Sequence, residues 1–318
     1  MKRQFLKKAL GIALGLSVAA LSSAVHAEYN PKLLRIGFQK SASLLTLLKA
    51  EGTLDKRLAT QGIEVKWVEF PAGPQLLEGL NVGAIDFGYV GEAPPIFAQA
   101  AGANFVYVGY EDAEPKAEAL IVPKDSPIKT VTDLKGKKVA LNKGSNVHYL
   151  LVKLLEKHGL KYTDIQPVFI PPADARAAFE RGSVDAWVIW DPYTAAAQQQ
   201  IGARIVADGT GVVNNYGFFL AEREFASKQG EVIKQLFDEL QQHGLWITKN
   251  YKAAASKIAP LQGLDTAVVE QTLRNFSHII KPISEPVLDA QQKLGDTFFE
   301  LKLIPKAIRV KDASLAGK

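Results

Sequence analysis

The chain has 318 residues, with 38 Lys+Arg against 33 Asp+Glu and no cysteine. The absence of thiols excludes cysteine nucleophiles, thiolate metal centres and disulfides together. Four of the cations and none of the acids fall in the first 27 residues, which leaves 34 against 33 beyond them; no basic surplus points to nucleic acid or to an anionic membrane surface.

Lys2, Arg3, Lys7 and Lys8, an apolar run from Ala9 to about Leu21, and Val25-His26-Ala27 have the three parts of a secretory signal. The apolar run is too short to span a membrane. Cleavage is expected after Ala27, releasing a soluble, exported chain with no lipid-bearing cysteine. From Leu33 onward the pattern alternates: strand 33–38, helix about 42–50, strand 63–69, helix 74–82, strand 84–89, helix 94–101, strand 105–109. Such alternation predicts a mostly parallel sheet covered by helices. Proline and charge then surround the short apolar strand Ala119–Val122, and a second series follows: strand 138–142, helix 146–158, strand 166–170, helix 174–181, strand 184–189, helix 192–200 and Arg204–Ala207. Asp208-Gly209-Thr210-Gly211 marks a second crossing, Tyr216–Ala221 reads as a strand returning to the first series, and the remainder is helical and amphipathic. The expected division is a signal at 1–27, one lobe from 28–115 and 212–318, and another from 116–211.

The two series repeat one another. Gly73 to Glu92 and Ala173 to Asp191 each give a short helix ending in glycine, an aspartate three residues later (Asp86, Asp185) and a further carboxylate six residues on (Glu92, Asp191). Lys40-Ser41 before Leu47-Leu48 matches Lys143-Gly144-Ser145 before Leu150-Leu151. Self-similarity at this spacing predicts two equivalent α/β lobes with a cleft between them.

Ligands of open α/β sheets lie beyond the carboxyl ends of the strands. Here that edge is formed by Gln39–Ser43, Gly91–Pro95, Lys143–His148, Pro171–Arg176 and Trp190-Asp191-Pro192. Ser145 stands at the N-cap of a helix whose leucines form one face, and a helix start offers unpaired amides to an anion; Ser41 is its counterpart. His148, off the leucine face, is expected neutral beside the same helix start. Arg176 either reaches a ligand or pairs with Glu180 four residues on, the pairing being favoured. One of Trp187 and Trp190 should be core and the other a flat wall for a ligand. Glu92 and Asp191 fit either an acid–base pair, as in glycoside hydrolysis, or capping and lobe bridging, which is favoured. No Walker loop, G-x-S-x-G, G-x-G-x-x-G or H-E-x-x-H occurs, so no enzyme activity and no cofactor are expected.

Ile36-Gly37-Phe38-Gln39-Lys40, Trp67 to Gln75, Asn81 to Asp86, Leu134 to Ala140 with Lys143-Gly144-Ser145, Ala173 to Phe179, and Val184 to Tyr193 resemble the periplasmic aliphatic sulfonate-binding proteins of ABC transporters over nearly the whole mature chain. The resemblance implies a type II, two-lobed binding fold, periplasmic location, a small organosulfonate as ligand, a membrane permease with its ATPase as partner, and a monomer. It also implies that Gln39, Ser41, Ser145, His148 and the Asp174–Arg176 segment surround the head group. With the loops above, the expected ligand set is Gln39, Lys40, Ser41, Gly91, Glu92, Ser145, Asn146, His148, Asp174, Arg176, Trp190 and Asp191, with no metal. Val90-Gly91-Glu92 and Asn146-Val147 depart from the family pattern. Relatives on this fold bind taurine, nitrate and thiamine precursors, so a taurine- or nitrate-type ligand is the alternative.

Overall fold

A computed structural model describes residues 29–315; the expected signal at 1–27 lies outside them. The first series gives β1 (Leu33–Phe38), β2 (Glu64–Glu69), β3 (Phe87–Gly91) and β4 (Phe105–Glu111). The second gives β5 (Glu118–Val122), β6 (Lys138–Leu141), β7 (Gln166–Phe169), β8 (Ala186–Trp190) and β9 (Arg204–Asp208), after which β10 (Gly217–Glu222) and β11 (Ile280–Lys281) return to the first sheet. The sheet orders are β11-β4-β10-β3-β1-β2 and β7-β6-β8-β5-β9.

Without β11 the two orders are the same motif. Three parallel neighbours, β2-β1-β3 in one sheet and β7-β6-β8 in the other, are followed by one reversed strand and a last one. The reversed strand is β10 between β3 and β4 in one sheet and β5 between β8 and β9 in the other. The sheets are therefore mixed: the strands of each series share one direction, and the strand that crosses between sheets enters backwards. Asp86 and Asp185 explain why the repeat carries an aspartate. Asp86 Oδ2 accepts from the Arg35 amide at 2.8 Å, and Asp185 Oδ2 accepts from the Lys138 amide at 2.8 Å. Each thereby ties the entry of its strand to the middle strand of its parallel trio.

Alternate residues of each strand enter opposite cores. Phe219 and Ala221 of β10 join Leu34, Ile36 and Phe38, whereas Phe218 and Leu220 join Val90 and Ile96. In β5, Leu120 and Val122 face one side, Ala119 and Ile121 the other. Both faces being covered, these strands read as unbroken apolar runs. Burial of each such side chain contributes about 1.5–3 kcal/mol. The late helices act as expected on the first sheet: Val232, Leu236 and Leu240 of Gly230–Lys249 pack under β1, and Phe298 of Glu285–Glu300 packs on the other face. Helix Thr266–Asn275 does more, since Val268 also meets Ala195 and Ala196 of helix Tyr193–Ile201 behind the second sheet.

Three local expectations change. The helix expected at 42–50 is followed by a second, Thr53–Ala59, broken from Ser43–Glu51 by Gly52 in the left-handed region. Strand β3 starts at Phe87 rather than 84, because the Gly83 and Ala84 amides still close the helix Gly73–Asn81 by donating to Leu80 and Gly79. The two-residue β11 extends the sheet beyond β4 with no signal in its own sequence. Among the described residues no helix is long and apolar enough to cross a membrane.

Candidate functional site

A cavity of about 50 Å³ opens where the two sheets face each other. Gln39, Ser41, Tyr89, Gly91 and Pro94 line it from the first sheet and Ser145, Asn146 and Trp190 from the second. Glu114, Ala117, Asn215 and Tyr216 line it from the two segments that cross between sheets, and Phe276 closes one side. The crossing segments are laced together: the Glu114 amide donates to Asn214 O at 3.0 Å, Asn215 Nδ2 to Glu114 O at 2.9 Å and the Gly209 amide to Pro115 O at 2.8 Å.

Helix Asn146–Lys157 starts at this cavity, and helix Ser43–Glu51 starts two residues past Ser41, which lines it. In Ser43–Glu51 no side chain caps the start, and the amides of Leu44 and Leu45 have no backbone partner. In Asn146–Lys157 the Ser145 hydroxyl does not cap its helix as expected; it donates to Asn142 O at 2.6 Å, and the Asn146 and Val147 amides have no backbone partner. Uncapped helix starts bring amide donors and the positive end of the dipole to one place. Among the described residues no lysine or arginine lines the cavity. It is suited to a small anion that keeps its charge, held by dipoles, with the apolar rest against Pro94, Trp190 and Phe276.

Asn146 spans the cleft mouth. Its Oδ1 accepts from the Ala93 amide at 3.2 Å, its Nδ2 donates to Asn215 Oδ1, and a Cβ on Gly91 would stand 2.1 Å from Oδ1. The carboxamide thus bridges the sheets and leaves no room for a side chain at 91. Trp187 is wholly buried against Phe179 while Trp190 lines the cavity, which settles the alternation of the two.

Six expected residues lie off the lining. Lys40 turns away, its Nζ donating to Gln262 O at 3.0 Å. His148 is fully buried among Phe97, Tyr162, Phe169 and Phe298, with Nε2 2.9 Å from the Tyr162 hydroxyl; burial lowers its pKa to about 4. It is neutral as expected, but it packs between lobes instead of reaching into the cleft. Asp174 is exposed, and Arg176 pairs with Glu180. Asp191 Oδ1 accepts from the Ala195 amide at 2.9 Å and Oδ2 from Asn275 Nδ2 at 2.7 Å, and burial raises its pKa to about 6. Glu92 Oε2 accepts from the Tyr216 amide at 3.1 Å, and burial raises it to about 7. Both carboxylates therefore hold segments in place, as the favoured reading of them expects. Glu111, Glu114 and Glu118 are buried nearby and are pushed up by desolvation, Glu111 to about 7. Among the described residues no cluster of three or more His, Asp or Glu is arranged for a metal.

Sequence reasoning missed Tyr89, Glu114, Asn215, Tyr216 and Phe276. Asn215 had a usable signal, since Asn214-Asn215 directly precedes the returning strand, where asparagine tolerates a left-handed backbone (φ 53°). Phe276 had none, because it arrives from the end of a helix remote in sequence.

The NMT1/THI5-like family model matches residues 58–254. A protein of Escherichia coli strain K12 named an aliphatic sulfonates-binding protein is 45% identical over 310 residues, 97% of this chain and 95% of its own. One of Bacillus subtilis strain 168 with the same name is 36% identical, over 88% and 85% of the two chains. The solved alkanesulfonate-binding protein SsuA from Xanthomonas axonopodis pv. citri, bound to MOPS, superposes with a TM-score of 0.84 at 44% identity, over 90% of this chain and 99% of that one.

Proposed function

Since the chain belongs to the NMT1/THI5-like family and, within it, to the aliphatic sulfonate-binding proteins, we propose that its cavity captures an aliphatic sulfonate in the periplasm and hands it to the permease and ATPase of an ABC importer. It is a binding protein and not an enzyme. The observation that carries the ligand class is the pair of uncapped helix starts, at Ser41 and Ser145, meeting in one cavity that, among the described residues, no lysine or arginine lines. A sulfonate is a monoanion at every physiological pH, so it needs charge-assisted donors and no titrating cation. The apolar wall of Pro94, Trp190 and Phe276 then takes the chain.

Micromolar capture needs roughly 8 kcal/mol net. Hydrogen bonds to a charged group give about 1.5–3 kcal/mol each and a buried methylene about 0.8 kcal/mol, against several kcal/mol for association. Three or four amide or hydroxyl donors at the two helix starts close that gap. One methylene changes affinity about fourfold on the same scale, so graded tolerance of chain length is expected. Calorimetric titration with methane- to hexanesulfonate, alongside nitrate and sulfate, tests this. Saturable binding that strengthens over several carbons supports the reading; preference for nitrate or sulfate over every sulfonate contradicts it.

A further inference from the structure

Behind Ser41 a second space of about 10 Å³, the size of a single water or hydroxyl, adjoins the main cavity, sharing Ser41, Tyr89 and Phe276 with it. Its lining includes Ser43, Glu111 and His278, each about 3% exposed. Two of these carry a buried polar atom without a partner: Ser43 Oγ and His278 Nδ1. His278 Nε2 lies 2.8 Å from Leu273 O, a carbonyl that can only accept, so the proton of the neutral ring is on Nε2 and Nδ1 presents a lone pair. Facing it at 3.7 Å is Glu111 Oε1, which already accepts from the His278 amide at 2.9 Å. His278 Nδ1 is left without a donor. The Ser43 hydroxyl, also without a partner, can donate to an acceptor placed there. His278 is also one of three non-glycine residues in the left-handed region (φ 57°) among the described residues, a strain that persists where surroundings impose it and that clusters at ligand sites.

The annex therefore calls for a group that donates and accepts at once. An ammonium would meet the positive end of the helix, and a carboxylate would meet Glu111. We propose that the annex is a subsite for a hydroxyl on the chain of the bound sulfonate, so that hydroxyalkanesulfonates are the favoured ligand class. The hydroxyl oxygen accepts from Ser43, and its hydrogen goes to His278 Nδ1. This rests on the sulfonate reading of the main cavity.

The test compares affinities at matched chain lengths of two to five carbons for the alkanesulfonate and its ω-hydroxy, ω-amino and ω-carboxy derivatives, on the full mature chain. At one length or more the hydroxyl compound is expected to bind at least about fivefold tighter than its parent, as one net hydrogen bond allows, with the amino and carboxy compounds below it. Ser43→Ala, a small change inside the annex, and Glu111→Gln, which keeps an acceptor for the His278 amide, are each expected to bring the hydroxyl-to-parent ratio toward one. Parents that bind while no hydroxyl compound exceeds its parent overturn the annex and leave the main cavity standing; so does a hydroxyl advantage that survives in both variants, or an amino compound that leads the series. Failure of every parent sulfonate to bind would instead remove the main-cavity reading.

Discussion

Replacing Gly91 by alanine tests the bridging of the two sheets. The added methyl would stand 2.1 Å from Asn146 Oδ1 and 2.3 Å from its Cγ, well inside contact distance. Asn146 has only two side-chain torsions, and its amide is held on both sides, by the Ala93 amide and by Asn215. Moving it gives up both bonds, about 1 kcal/mol each net. Alkanesulfonate affinity, which needs the sheets gathered round the ligand, is then expected to fall by about 2 kcal/mol, on the order of 30-fold in Kd. Isothermal titration calorimetry reads this directly. In the double variant Gly91→Ala with Asn146→Ala the clash has no second party, so adding Gly91→Ala to Asn146→Ala should cost almost nothing, a coupling the double-mutant cycle isolates. Wild-type affinity in Gly91→Ala, or full additivity in the cycle, would refute the reasoning.

The remaining expectations concern burial and position. Because burial raises Glu92 from its ordinary 4.5 to about 7, its contribution to stability is fully present below pH 4.5 and is lost as pH rises through about 7, a span worth up to roughly 3 kcal/mol. Urea midpoints of Glu92→Gln and wild type should therefore diverge in favour of the variant between pH 4 and pH 8.5, and a difference constant with pH would sink the argument. Asp191→Ala removes a buried acceptor from both the Ala195 amide and Asn275 and should cost about 2–4 kcal/mol in urea unfolding; a loss below 1 kcal/mol would show those bonds to be dispensable. Trp190 lines the cavity, whereas Trp187 is wholly buried in the core. A ligand-induced change in tryptophan emission should thus vanish in Trp190→Phe, and its persistence would place the ligand elsewhere.

The repeat was legible because it is carried by bonds that recur. Asp86 and Asp185 are three residues past a helix-ending glycine for one reason, the 2.8 Å acceptance from the neighbouring strand's amide, and a local cause of that kind leaves a local pattern. The strand inserted backwards into each sheet was only partly legible: Tyr216–Ala221 showed as a strand, but direction and neighbours belong to the whole sheet. The cavity followed the same division. Gln39, Ser41, Gly91, Ser145, Asn146 and Trp190 sit at strand ends and helix starts that the pattern already fixed, and they line it. His148 could face the cleft or the opposite lobe from the same first helical turn, and four aromatic rings from other elements decide the matter. Arg176 had a partner four residues away on its own helix, and that nearer attraction prevails. Glu114 reaches the cavity from a segment crossing between the sheets and Phe276 from the end of a helix remote in sequence, placements that no short window contains.

The central claim is that two uncapped helix starts, one from each series, share one sulfonate. A crystal structure of the mature chain with 2-bromoethanesulfonate tests it most directly, because the bromine's anomalous signal fixes which way the ligand lies. The account predicts sulfonate oxygens within hydrogen-bond distance of amides or hydroxyls at both Ser41 and Ser145, with bromine toward the apolar wall. Sulfonate oxygens held by lysine or arginine, or by one helix start alone, would contradict it.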